Sequence, residues 1–401
     1  MPTLRNRQVI LPLALFVFAL AVRVAYLRDL PQNPLFDNFP QALDHYNFDQ
    51  SAISLSQGDL LARAPNNNFA PLYKYFLGLI YWLFGRNFYA VYLIQFMMGA
   101  FSCVLVYWIA RDLFGTRAGV LASLGLSLYA TQIVYEGIIL RASFISFWGL
   151  LSFYLLSRLS HAYSAGRLTG AALALSMFFQ SRPNTLICLP LACVYLRQSV
   201  FAFLDSSRKT RGWIVFGGVL ALSFVPLLTQ CYLVHDRFVF FDAGGAHALI
   251  SGNLTAYSGA GLENEVVENY RKENDFDYPS VVSYLFRQIR ENPFEYLQLY
   301  LRKLFYYLNG FEPPSNLSVY LFQEYSNIFS LTWKEFALYS SLGLVGMVLA
   351  IKNRKDVFLL YSYIVSLSLG VLLFHIVARY RLPAVPYFII FSAYAVDSMI
   401  V

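Results

Sequence analysis

Apolar runs of about the length that crosses a bilayer recur from one end of the chain to the other, joined by short basic links and two long polar segments. A helix needs about 20 residues to cross hydrocarbon. On that measure the pattern predicts spans near 9–27, 88–110, 118–139, 142–160, 168–181, 184–196, 212–234, 333–351, 357–378 and 384–401. The fifth and sixth are short and read as a tilted pair or one broken helix. A β-barrel would need short alternating segments instead of long apolar runs. The fold class is therefore an all-α polytopic membrane protein of about 10 transmembrane helices, forming a single domain over 1–401. The first run, Val9 to Leu27, follows Arg5 and Arg7. It is too long for a signal-peptide core and reads as a retained span.

Positive charge sharpens the topology. Arg5, Arg7, Arg111, Arg117, Arg158, Arg167, Arg197, Arg208, Lys209, Arg211, Lys352, Arg354 and Lys355 all fall on one side of the predicted spans. The excess of Lys and Arg in short loops marks that side as cytoplasmic. Two long segments, 28–86 and 235–332, then lie on the opposite face. They hold most of the Asp, Asn, Gly, Pro and Tyr outside the spans. Loops held by a rigid scaffold are where binding and catalytic residues concentrate.

Composition agrees and narrows the class. Hydrophobic residues make up 58% of 401 residues and charged residues 13%, against about 25% charged in a soluble domain. Mean hydropathy is +0.50. A soluble globule, a disordered chain and a disulfide scaffold are excluded. The 30 Tyr and 36 Phe suit membrane–water interfaces. Cys103, Cys188, Cys193 and Cys231 lie in apolar runs without a Cys-x-x-Cys pair, so they read as small core hydrophobes. No metal-ligand cluster stands out, a divalent metal is compatible with the pattern, and no nucleic-acid partner is expected.

In the first outer segment, Asp37-Asn38-Phe39-Pro40 reads as a helix start and Gly58 as its stop. Asp44, Phe48, Ala52 and Leu55 then share one helical face. A carboxylate on that less polar side is partly desolvated, which raises its proton affinity and suits a general base. The competing reading is that Asp44 faces water, as Asp49 and Asp59 are expected to do. The run from Phe69-Ala70-Pro71-Leu72-Tyr73-Lys74 to Phe84-Gly85 is too short for a span and predicts an interfacial helix.

These segments, with Ala110-Arg111-Asp112-Leu113-Phe114-Gly115, resemble the front half of the polyprenyl-phosphate-sugar-dependent glycosyltransferases of the GT-C fold, which include the protein O-mannosyltransferases and the lipid A aminoarabinose transferases. The resemblance implies that Asp44 is the catalytic acid residue of the first outer loop. His45 stands where the protein mannosyltransferases carry a second acid, which leaves the acceptor open.

Glu136 and Arg141 sit at the outer end of the third predicted span, where charge is costly; relatives often carry an acid just before the fourth span, where this chain reads Arg141-Ala142-Ser143 with Glu136 a turn earlier, and the two read as substrate-loop residues or as each other's partners. Further likenesses follow in the family's order. Arg182-Pro183-Asn184 is similar to the family's Arg-Pro turn, and Arg182 faces the lipid phosphate or snorkels to the interface. Ala243-Gly244-Gly245-Ala246 and Ser251-Gly252-Asn253 resemble its Gly-Gly…Gly-Asn segment, where backbone amides can approach an anionic or sugar ligand. Tyr73, Lys74, Gly244, Gly245 and Asn253 complete the expected substrate loops. Residues 278–309 read as amphipathic helices whose Arg287, Arg290, Arg302 and Lys303 line a solvated face. His375-x-x-x-Arg379-Tyr380-Arg381-Leu382-Pro383 resembles the family's Arg-Tyr-Arg stretch, and Arg379, Tyr380, Arg381 and Arg182 become the expected donor-phosphate site, since guanidinium gives bidentate recognition.

The resemblance implies an inverting transfer of a sugar from a polyprenyl-phosphate donor to a protein, lipid or glycan acceptor. The expected location is the plasma (inner) membrane, with the site on the periplasmic or extracellular side and membrane lipid as a partner. A lipid-linked-sugar flippase and an oligosaccharide ligase or polymerase are the alternatives. Many relatives continue into a soluble outer domain, so the chain is expected to be a truncated form. Asn253-Leu254-Thr255 and Asn316-Leu317-Ser318 are glycosylation sequons.

Overall fold

The computed structural model describes residues 2–41, 43–62, 71–236, 244–255, 264–273, 277–315, 317–332, 336–353 and 357–400. Phe69, Ala70, Ala243, Asn316, Arg354 and Lys355, named above, lie outside the described residues. The regular structure is helical, with no strand longer than single β-bridge residues at Tyr129 and Ile376 among the described residues. In order the helices are α1 (Pro2–Asp29), α2 (Asp44–Ser56), α3 (Leu72–Phe84), α4 (Phe88–Phe114), α5 (Thr116–Ser127), α6 (Ala130–Glu136), α7 (Ala142–Leu159), α8 (Ala165–Ser181), α9 (Cys188–Tyr195) and α10 (Ser206–His235). They continue with α11 (Gly245–Asn253), α12 (Asn264–Glu273), α13 (Tyr278–Glu291), α14 (Pro293–Leu308), α15 (Val319–Glu324), α16 (Phe336–Asn353), α17 (Phe358–Leu372), α18 (Ala378–Arg381) and α19 (Val385–Ile400).

Six stretches among the described residues are long and apolar enough to cross a membrane: Val9–Gln32, Phe88–Phe114, Ala142–Leu159, Pro183–Phe203, Ser206–His235 and Ala378–Ile400. Leu72–Phe84, Phe336–Ile351 and Phe358–Leu372 are shorter apolar helices. α4 lies at the centre of one layer, packed by α1, α5 and α7. α19 joins α5 to α16, and α8 joins α7 to α10. The fifth and sixth predicted spans become α8 and a stretch in which a 3-10 turn, α9 and a π-helical turn follow one another.

Two sequence expectations shift. The third predicted span is two helices, α5 and α6, because Tyr129 adopts an extended backbone between them. Its hydroxyl donates to Glu312 Oε1 at 2.7 Å, joined by Thr131 at 3.2 Å, so a distant carboxylate fixes the break. The first outer helix starts at Asp44 rather than at Asp37, since 38–40 are irregular. Its end agrees with the prediction: Gly58 has φ +101°, a conformation that favours glycine.

α2 and α3 pack on each other. Phe48, Ala52 and Leu55 are buried on the predicted face. The outer surface of α3 leaves Leu79, Trp82, Leu83 and Phe84 exposed, as an interfacial helix should. Asp49 does not face water. It is buried and takes a bidentate contact from Arg86 (3.0 and 2.8 Å) and a hydrogen bond from Tyr81 (2.7 Å), which ties α2 to the start of α4.

Candidate active site

The expected residues come from four separate parts of the chain. Asp44 is the first residue of α2, where a carboxylate is favoured by the helix dipole. Arg141 precedes α7. Arg182 precedes Pro183 and is extended (φ −164°, ψ 129°), the conformation a following proline favours; that turns the chain sharply out of α8. Arg379 and Tyr380 form the short helix α18 before α19.

They converge. Asp44, Arg141, Arg182, Arg379 and Tyr380 line one open cleft, flanked by Phe48, Leu140 and Ile145. Arg379 Nη1 donates to Asp44 Oδ2. The Nε of Arg379 is buried and has no hydrogen-bond partner. Arg182 stacks over the Tyr380 ring, with Cζ 3.4 Å from its centroid, and Arg379 reaches the same ring at 5.1 Å. Arg141 Nη1 contacts the Ser181 carbonyl at 3.4 Å.

A second, open chamber shares Arg141, Arg182 and Tyr380 and is walled by Asn184, Gly244, Gly245, Ala248, Tyr278 and Phe374. The predicted Gly-Gly segment therefore meets the predicted arginines. Beside Asp44, His45 is buried and stacked on Phe39, centroids 5.9 Å apart. Burial pushes its imidazole down to about 4, so it is neutral at pH 7.

Other expected site residues lie elsewhere. Arg381 is buried and turned away from the cleft. It pairs with Glu312 at 2.7 Å and donates to the carbonyls of Tyr306, Tyr307, Asn309 and Phe311. Residues two apart on a helix are not neighbours on one face, and Arg381 is held on the far side by Glu312 and the 306–311 carbonyls. Glu136 pairs with neither Arg141 nor the cleft. Arg23 of α1 donates to it at 2.5 and 3.1 Å, and Gln132 at 2.8 Å, all buried. Tyr73 donates to Gln95 at 2.7 Å inside the α2–α4 packing, and Lys74 is buried on α3; neither lines either chamber.

Asn253 is buried, and its amide bridges Leu249 and Leu373 carbonyls. Its sequon is therefore closed to a glycan. Lys303, expected on a solvated face, is fully buried. Among the described residues no group of three or more His, Cys, Asp or Glu is placed to hold a metal ion.

Comparisons with known proteins fit this architecture. Residues 68–234 match the family described as dolichyl-phosphate-mannose-protein mannosyltransferase. No curated protein sequence matches the chain. Among solved structures, ArnT from Cupriavidus metallidurans bound to undecaprenyl phosphate is 12% identical, with a TM-score of 0.54 over 95% of this chain and 59% of its own. The archaeal oligosaccharyltransferase AglB from Archaeoglobus fulgidus, in complex with an inhibitory peptide and a dolichol-phosphate, is 14% identical, with a TM-score of 0.53 over 96% of this chain and 50% of its own. The chain thus spans between half and three fifths of the length of these structures. The resemblance read from the sequence holds at the level of the fold, which is that of the polytopic GT-C glycosyltransferases.

Proposed function

We propose that the protein is an integral-membrane glycosyltransferase that moves a sugar from a polyprenyl-phosphate donor to an acceptor, with its site on the outer face of the membrane. The observation that carries this reading is the convergence of Asp44 with Arg141, Arg182 and Arg379 in one cleft. Three guanidiniums and one carboxylate leave a net positive site, which suits a lipid phosphodiester and favours the phosphate dianion that departs.

The phosphate of the donor binds between Arg141 and Arg182, with the unmet donor of Arg379 turned to the same anion. Planar guanidinium forks recognise phosphate bidentately. The sugar occupies the chambers walled by Tyr380, Tyr278 and the Gly244–Gly245 backbone. Asp44, held by Arg379, accepts the proton of the acceptor hydroxyl as its oxygen attacks the anomeric carbon. The bond from that carbon to the phosphate oxygen breaks, and the electron pair leaves with the polyprenyl phosphate. Fixed positive charge where negative charge grows stabilises that transition state. A single displacement inverts the anomeric centre.

The test uses a radiolabelled polyprenyl-phosphate sugar and follows release of free lipid phosphate. Asp44→Asn should bind donor while losing about 10²–10⁴-fold in transfer rate. Transfer at the wild-type rate by that variant removes Asp44 as the base. Movement of intact lipid-linked sugar across the bilayer, without cleavage, would point to a flippase instead.

A further inference from the structure

Three consecutive carbonyls at the outer end of α17 have no partner within the helix, as at any helix C-terminus. Here they are met by side chains from the second outer segment. Lys303 of α14 donates to Leu372 O at 3.0 Å and Phe374 O at 2.6 Å. Asn253 of α11 donates to Leu373 O at 2.7 Å. The third ammonium proton goes to Asn253 Oδ1 at 2.9 Å, which also accepts from Tyr300 at 2.9 Å. Every donor of the buried ammonium is therefore committed, and a cation sits at the negative end of a helix dipole.

The two backbones touch at the same point. A Cβ on Gly252 would overlap the Phe374 carbonyl and come within 2.8 Å of His375 N. Only glycine allows α11 to lie this close.

Both sides of this joint lead into the site. α11 begins at Gly245, and Gly244, Gly245 and Ala248 wall the second chamber. Phe374 walls it from the other side. The next residue, His375, lies against the Tyr380 ring at 4.9 Å, and Tyr380 lines both chambers.

We propose that Lys303 is a positioning residue: it pins the end of α11 to the end of α17 and so sets the distance between the Gly244–Gly245 wall and the Arg379–Tyr380 wall. This rests on the reading of the cleft as a polyprenyl-phosphate site. Lys303 touches no substrate in this role. It acts through Asn253 and the 372–374 carbonyls, and burial holds its amine poised, with proton affinity lowered to about 7.

The test compares the full chain in lipid nanodiscs with Lys303→Met and Gly252→Ala. The first removes the ammonium and the second wedges the backbones apart without changing charge, so one remains informative if the other fails to fold. Hydrogen–deuterium exchange should rise about tenfold in peptides covering 245–253 and 372–381 in both variants, while the inner half of α17 stays unchanged. Affinity for polyprenyl monophosphate should fall about tenfold, and turnover by about 10–10²-fold, the loss expected of a small misplacement. Unchanged exchange in both variants overturns the joint. Increased exchange with wild-type affinity and turnover overturns its role in positioning. A wild-type chain that binds no polyprenyl monophosphate sinks the functional reading instead, and the exchange measurement alone then decides on the joint.

Discussion

Arg379 and Asp44 lie 335 residues apart in the chain and form an ion pair in the wall of one cleft. The pair is partly exposed, so its worth lies less in stability than in aim: the guanidinium fixes where the carboxylate points. Arg379→Lys keeps the charge but loses the planar fork, and Arg379→Gln loses both. Transfer should fall about tenfold in the first and about 10²–10³-fold in the second, with melting temperatures near wild type. Initial rates of lipid-phosphate release from purified variants check this. A wild-type rate for Arg379→Lys would mean that the fork does not orient Asp44.

Arg381 should behave in the opposite way. It is buried against Glu312 and four carbonyls, and it stacks on Phe336 at 4.1 Å. Breaking a buried pair by removing one partner costs about 3–5 kcal/mol. Arg381→Gln should lower the melting temperature sharply, while the folded fraction keeps the wild-type KM for donor. A variant with normal stability and a raised KM would restore Arg381 to the phosphate site.

What could be read beforehand follows a physical division. The α2 face and the short apolar helix α3 were legible because helical periodicity is local: Phe48, Ala52 and Leu55 are buried at the predicted spacing. Asp44, Arg182, Gly244, Gly245, Arg379 and Tyr380 were found by their place in an ordered pattern, Arg141 by its charge at the end of a predicted span, and together they line the two chambers. The i, i+2 spacing of Arg379 and Arg381 already separates them on a helix and was the signal available for telling them apart. The break at Tyr129, the burial of Asp49 and the Arg23–Glu136 pair were not legible. Each is set by a partner far along the chain: Glu312, Arg86 or Arg23. Lys303 was missed for the same reason. Its helix has a strongly amphipathic pattern, and nothing local says that its polar face is covered by the end of α17.

The Arg23–Glu136 pair gives a double-substitution test of a charge pair within the helical layer. Both side chains are fully buried. Arg23→Leu or Glu136→Leu alone should destabilise by about 3–5 kcal/mol because each strands the other charge. Arg23→Leu combined with Glu136→Leu should recover much of that loss, since no charge is then left unpaired. The measurement is a melting-temperature cycle over the four proteins, with transfer rate per folded molecule unchanged throughout. A rate loss in the double variant that exceeds its loss of fold would return Glu136 to the substrate loop.

The final prediction concerns pH. Burial lowers the Lys303 amine from its ordinary value to about 7 in the fold, while the unfolded chain keeps it near 10.4. Between those values the unfolded state holds more protons, so this group makes stability rise with pH. Below about 7 both states are protonated and its contribution is flat. The slope cannot exceed about 1.4 kcal/mol per pH unit for one proton. The titratable groups near it are Tyr300 on its own helix, whose hydroxyl shares Asn253 with it, and His375 across the joint. Tyr300 is raised above the ordinary tyrosine value by burial, so the window from pH 7 to 9 isolates Lys303 from it. Melting temperatures across that window should climb more steeply for the wild type than for Lys303→Met, and the difference should vanish below pH 6.5. As pH passes 7 the amine loses a proton and one of its three acceptors loses its donor, so the wild-type pH–rate profile should bend near 7 and that of Lys303→Met should not. Parallel pH–rate profiles for wild type and variant would show that the charge on Lys303 does not reach the site.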